Sequence, residues 1–181
     1  MRKLVSVMMI VLSVMAGHIQ AQELTRAEKK ALQERLDSLL FVEAEQAIND
    51  KEFTLEADQV VFKYGQTAYV SSNTNFVSVK GENAVVQVAF NIPASGFNGL
   101  GGITVDGTVS GYEIRKDKKG NISVSMNVMG IGISARVDIH MTRGSNDASV
   151  TISPNFNSNR LTLNGVVLPA ERSNVFKGRS L

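Results

Sequence analysis

The 181-residue chain has no cysteine and no tryptophan, and it carries only 3 prolines and 2 histidines. Without a thiol it cannot build disulfide frameworks, thiolate metal sites, iron–sulfur clusters or a cysteine nucleophile. Aromatic residues make up 6% of the chain, and the missing tryptophan removes the usual stacking platform of sugar-binding loops. No apolar run reaches the roughly 20 residues that a membrane-spanning helix needs. What remains is 43% hydrophobic and 20% charged. That mix is too apolar for a disordered chain and too charged for a polytopic membrane protein, and it suits one globular domain.

The first segment reads as an export signal. Arg2 and Lys3 form a basic start, and the uncharged run LVSVMMIVLSVMAG follows from Leu4 to Gly17. Such a run has the length of a signal-peptide core. The expected cut lies between Ala21 and Gln22, giving a signal peptide over 1–21 and a single domain over 22–181. Without a cysteine, lipid attachment has no acceptor. Loss of Arg2 and Lys3 reduces the 19 Lys and Arg to 17, against 17 Asp and Glu. The mature chain is then neutral overall and lacks the broad positive field that nucleic-acid binding requires.

One helix is expected, then strands. Thr25-Arg26-Ala27-Glu28 has the form of a capping box, in which the Thr25 hydroxyl and the Glu28 carboxylate bond each other's backbone N–H. Strong helix formers follow, with Leu32, Leu36, Leu39, Leu40, Ala44, Ala47 and Ile48 at helical spacing. This stripe is expected to lie against a sheet, although it could instead serve a partner helix. Asn49 and Asp50 are stop signals.

Beyond Lys51 the apolar residues alternate. Phe53, Leu55 and Ala57 share one phase and Val60, Phe62 and Tyr64 the other, which predicts a bulge or corner near Asp58-Gln59. Phe76–Lys80, the turn Gly81-Glu82-Asn83 and Ala84–Asn91 read as a hairpin. The phase established at Ile103, Val105, Gly107 and Val109 flips after Gly111 to Tyr112 and Ile114. KDKKGN (Lys116 to Asn121) is a charged turn. Rows at Ile122–Val128, Ile133–Met141 and Ala148–Ile152 follow, and a last strand spans about Arg160 to Leu168. The fold class is therefore α+β and mostly β: an amphipathic helix packed on an antiparallel meander of about eight strands, closed as a sandwich or flattened barrel. The polar tail from Pro169 to Leu181 is expected to be loosely held.

Several strings carry a family likeness: FTLEADQVVF, GQTAYVSSNTNFVSVKGENAVVQVAF, NIPASGFNGLGGITVDGTVSGYEI, KDKKGNISVSMNVMG and SPNFNSNRLTLNGVVLP. Over roughly Glu28 to Leu168 the chain resembles the domain-of-unknown-function family 4251, found in exported proteins of Gram-negative gut-type bacteria. The resemblance implies export and a β-rich architecture. The family has no assigned activity, ligand or catalytic set, so no residue acquires a role from it.

Four constellations invite a chemical reading. The glycine-rich loop Gly96–Gly102 lacks the Lys and the following helix of a phosphate loop; it reads as a connection whose Phe97 and Leu100 would form a contact surface if they point outward. His140, the only histidine after export, shares a strand face with Arg136 and Asp138. Asp138 and His140 could supply two metal ligands, but the neighbouring Ser123, Ser125, Asn127, Ser149 and Thr151 are weak ligands. The simpler expectation is a solvated face with Arg136–Asp138 pairing. There is no G-x-S-x-G elbow, and Asp106, Glu113 and Asp138 form no evident carboxylate pair. The loops SSNTN (Ser71 to Asn75) and PNFNSN (Pro154 to Asn159, including Phe156) could contact sugar hydroxyls, but they read first as turn chemistry.

The expectation is an exported, non-enzymatic β-rich domain of the cell envelope, periplasmic or secreted, with a structural, assembly or binding role and no cofactor, catalytic residue or metal site. Its partner is unidentified: a protein or a small apolar ligand, with no nucleic acid and no transmembrane segment. The alternative is a carrier enclosing a small apolar ligand in a closed barrel, and the third reading is a divergent hydrolase.

Overall fold

A computed structural model describes residues 25–89, 102–155 and 160–178. The expected cleavage site at Ala21-Gln22, the loop residues Phe97 and Leu100, and Phe156 lie outside them. The chain divides into two compact units, residues 1–33 and 34–181. The described part of the first holds the start of helix α1 (Arg26–Asp50). There the capping box forms as read: the Thr25 N–H donates to Glu28 at 2.8 Å and the Glu28 N–H to the Thr25 hydroxyl at 3.3 Å.

The described residues of the second unit form nine strands: β1 (Glu52–Phe62), β2 (Thr67–Tyr69), β3 (Phe76–Lys80), β4 (Asn83–Ala89), β5 (Gly102–Lys116), β6 (Ile122–Gly130), β7 (Ser134–Met141), β8 (Asp147–Pro154) and β9 (Leu161–Pro169). β1, β3 and the six strands that follow each pair antiparallel with the next, and β9 returns to pair with β1. That last pairing closes an eight-stranded barrel, so of the two closures expected the barrel is the one formed. β2 is an addition that the alternation did not show; its three residues continue the β3 edge of β1 at Gln59–Val61.

The phase breaks mark where the strands bend. Asp58 is the extra residue where the β1–β9 register shifts between Ala57 and Gln59. Between Ser110 and Glu113, Gly111 and Tyr112 together face Met126, one residue more than the opposing strand has, and Gly111 takes φ +61°, a backbone that a residue with a Cβ enters only at a cost. Bulges of this kind bend strands and increase twist, which an eight-stranded closure needs.

Between the bends, alternation sends Phe53, Leu55, Val60, Val77, Val79, Val124, Met126, Met141 and Leu163 into one fully buried cluster. The barrel interior is occupied by these side chains. The outer face of β6, β7 and β8 carries Ser123, Ser125, Asn127, Arg136, Asp138, His140, Ser149 and Thr151.

The helix departs from expectation. Phe41, Ala44, Ala47 and Ile48 are its buried residues, and they join the barrel core. The leucines do not follow them: Leu32, Leu36 and Leu39 are exposed, as is Val42. At about 100° per residue, the leucines lie roughly a third of a turn round the helix from the buried row. Spacing alone did not separate two apolar rows on one helix, and Phe41 was missed for that reason. The chain then leaves α1 through Lys51 at φ +57°, a left-handed exit more often given to glycine. The Lys51 ammonium sits 5.1 Å from the Tyr112 ring centroid, while the Tyr112 hydroxyl donates to the Ile48 carbonyl at 2.7 Å. Burial pushes that hydroxyl's pKa above its ordinary value.

The tail is a second correction. After the 3-10 turn Ala170–Arg172, residues 173–178 are held across the outer face of β1, β3, β4 and β5. Ser173 donates to Glu56 at 2.7 Å and the Phe176 N–H to the Asn73 carbonyl at 2.7 Å. The Gln87 amide donates to the carbonyls of Phe176 (2.8 Å) and Thr74 (3.0 Å) and accepts from Thr104 (2.9 Å) and the Gly178 N–H (2.8 Å). Lys177 pairs with Asp106. This cover explains why Thr54, Phe76, Ser78, Gln87 and Thr104, all on the outward face, are buried.

Candidate functional site

The His140 face assembles much as the strand register requires. His140 stands opposite Ser123 on β6 and Ser149 on β8, and its Nδ1 lies 3.3 Å from the Ser123 hydroxyl. Asp138, two residues away, does not turn towards it. Its carboxylate accepts from Arg136 at 2.9–3.2 Å and from Ser125 at 2.7 Å. Among the described residues the serine–histidine contact therefore lacks the orienting acid that a hydrolytic relay uses. Among the described residues, no three of His, Asp and Glu are grouped to hold an ion. A groove of about 410 Å³ runs beside His140, lined by Asp58, Thr142, Asp147, Ser149 and Asn164 among others, and it is open to solvent.

The Arg136 guanidinium first, and the Ser125 hydroxyl after it, hold the Asp138 carboxyl below the usual carboxylate range against the opposing effect of partial burial. A lowered folded-state pKa means that the pair stabilises the fold above the unfolded carboxylate's pKa and fades as pH falls through the folded value. The pair is half exposed and screened, so Asp138→Asn is expected to cost at most about 1 kcal/mol at pH 7. Urea unfolding should show that difference closing in acid below the carboxylate range.

The amide-rich loops are turn chemistry where they are described. The Ser71 hydroxyl donates to Asn73 at 2.7 Å, and buried Asn75 donates to the Ser71 carbonyl at 3.0 Å while accepting from the Ala89 N–H at 2.8 Å. Asn155 bonds Ser134. In the charged turn, Asp117 accepts from the N–H groups of Lys119 and Asn121 and from the Asn121 amide, at 2.8–2.9 Å. Asp106 pairs with Lys177 and Glu113 with Arg115. These acids are committed to separate cations and do not face each other across a cleft.

The barrel end covered by α1 differs from these surfaces. On one flank of the helix a groove of about 570 Å³ is lined by Ser38, Phe41 and Val42, the turn Lys116–Gly120, and Arg143 and Gly144. Lys116 pairs with Glu45 at 2.5 Å, while Lys118, Lys119 and Arg143, beside the caged Asp117, form no ion pair among the described residues. On the other flank a groove of about 740 Å³ is lined by Leu39, Val42, Gln46 and Ala47 with Glu43, Asp50, Glu52 and Glu171. Arg172 pairs with Glu43, and the other three carboxylates keep this flank acidic. The ridge between is apolar and exposed: Leu36 is 47%, Leu39 68% and Val42 61% accessible. The leucine spacing was the available signal for this surface; the charge division depends on turns distant in sequence.

Comparison with known proteins agrees with the architecture. The family model described as "Domain of unknown function (DUF4251)" matches residues 35–167. The crystal structure of a DUF4251 family protein from Bacteroides eggerthii is similar, with 52% sequence identity and a TM-score of 0.70, covering 82% of this chain and 99% of that one. No curated protein matches.

Proposed function

The chain belongs to the DUF4251 family, and from that premise we propose that it is an exported, non-enzymatic interaction module of the cell envelope, working through the helix-covered end of its barrel. The observation that carries this reading is the exposed row Leu36, Leu39 and Val42 on a helix whose other face is anchored in the core. A surface helix normally turns its apolar residues inward. A contiguous outward row on a rigid support is the usual mark of a contact surface.

Two features support this reading over its alternatives. The barrel interior is taken up by packed side chains, which weighs against a carrier, since a carrier needs an apolar cavity of several hundred Å³. The grooves described are open and external. The apolar-in, polar-out alternation of β6–β8 is the reverse of a lipid-facing barrel wall. Export rests on the amino-terminal sequence, and it predicts a mature protein beginning at Gln22.

The absence of cysteine permits a direct test. Leu39→Cys and Tyr64→Cys each place a single thiol at an exposed position; Tyr64 is 82% accessible and lies at the opposite end of the barrel. In cells expressing the full chain, a maleimide is expected to label Tyr64→Cys readily and Leu39→Cys several-fold more slowly. Equal labelling at both sites would overturn the proposed surface.

A further inference from the structure

We infer that the occupant of this surface is a second copy of the chain, in a two-fold dimer whose α1 helices run parallel. The inference rests on the interaction reading and adds the partner's identity. In a two-fold interface the same patch meets itself, so the patch must be self-complementary. The ridge of Leu36, Leu39 and Val42 meets that requirement, being apolar and able to pack on its own copy. The flanks meet it in one orientation only. Lys118, Lys119 and Arg143 lie on one side of the ridge, and Asp50, Glu52 and Glu171 on the other.

A two-fold axis parallel to the helix lays the basic flank of each copy over the acidic flank of the other, twice per dimer. An axis across the helix would make the helices antiparallel and stack like charge on like. Opposed potentials fix register and suppress wrong pairings, and the charge division therefore selects the parallel arrangement. Overall charge does not oppose association, because the acids and bases are equal in number once Arg2 and Lys3 are set aside.

The test uses two charge-reversed proteins. In Lys118→Glu/Lys119→Glu both flanks become acidic; in Glu52→Lys/Glu171→Lys both become basic. All four residues are exposed, so folding is expected to survive, and thermal unfolding checks this. By sedimentation velocity the unmodified protein is expected to dimerise, and each reversed protein to self-associate at least about tenfold more weakly. Mixed in equal amounts, the two should form a heterodimer at least tenfold tighter than either homodimer, because every flank again meets its opposite. Leu39→Glu should abolish association in all cases.

A monomeric unmodified protein, or a mixture no tighter than its components, would overturn the second copy as partner. If Leu39→Cys is still shielded in cells under those outcomes, the surface is real and its occupant is another molecule. If it is unshielded, the interaction reading fails as well.

Discussion

Gly165→Ala is expected to open the barrel. Gly165 lies on β9 opposite Ala57, next to the β1 bulge. A Cβ placed there would lie 1.9 Å from the Glu56 carbonyl oxygen and 2.6 Å from the Ala57 Cα. Both are backbone atoms, so no rotamer change relieves the clash and the two strands must part. Overpacked sites typically cost 1–3 kcal/mol even where side chains can adjust; here about 3 kcal/mol or more is expected, lowering the thermal midpoint by roughly 6–12 °C. Hydrogen exchange should place the damage at the amides of β1 and β9, since the closing ladder is what separates. Gly144→Ala is the control for loss of a glycine: it sits at φ +93° with nothing near the added carbon, and it should show backbone strain without opening the seam. A Gly165→Ala protein as stable as the parent would mean that β1 and β9 do not approach so closely.

The second large effect concerns the tail. Gln87 is fully buried and uses its whole amide, donating twice and accepting twice. Gln87→Leu keeps the volume but removes both donors and the acceptor. The carbonyls of Thr74 and Phe176 lose a partner, and the Gly178 N–H loses its acceptor. With about 1 kcal/mol for each hydrogen bond and more where a buried group is stranded, a loss of about 2–3 kcal/mol is expected. The diagnostic change is local: Gly178 should exchange and residues 173–178 become protease-sensitive well before the barrel unfolds. Truncation after Arg172 should expose Phe76 and Ser78 and destabilise the barrel similarly. If Gln87→Leu leaves tail protection unchanged, the amide is not what fastens this segment.

These two sites also mark the boundary of what the sequence made legible. Period-two alternation located the strands. Its reversal at Asp58 and after Gly111 located the bends, because a residue inserted in one strand must invert every side chain beyond it. The Arg136–Asp138 pair could be read for the same reason, from residues two apart on one strand. Closure could not: the pairing of β1 with β9 joins residues about a hundred positions apart, and β1 alternates equally well with any neighbour. Tail docking was hidden because Gln87 occupies an outward position where a polar residue is expected, and its partners at Phe176 and Gly178 lie 89 and 91 residues away. Strand β2, at three residues, is too short to show alternation.

The candidate surface was half legible. The leucine row was visible, with its two possible destinations, the chain's own core or a partner. What keeps that row out of the core is Phe41 and Ile48, which present a second apolar row to the barrel. The opposed charges of the two grooves come from turns near residues 52, 117, 143 and 171, which only the closed fold gathers at one end.

On the proposed reading this barrel is packed within and works from its outer, helix-bearing end. Native mass spectrometry of the protein purified from its own host separates a packed barrel from a loaded one. The expected masses are those of the chain beginning at Gln22, alone and as a dimer, with no small molecule retained. A stoichiometric apolar compound that stays with the folded chain and leaves only on denaturation would contradict that reading, and would return the function to the interior.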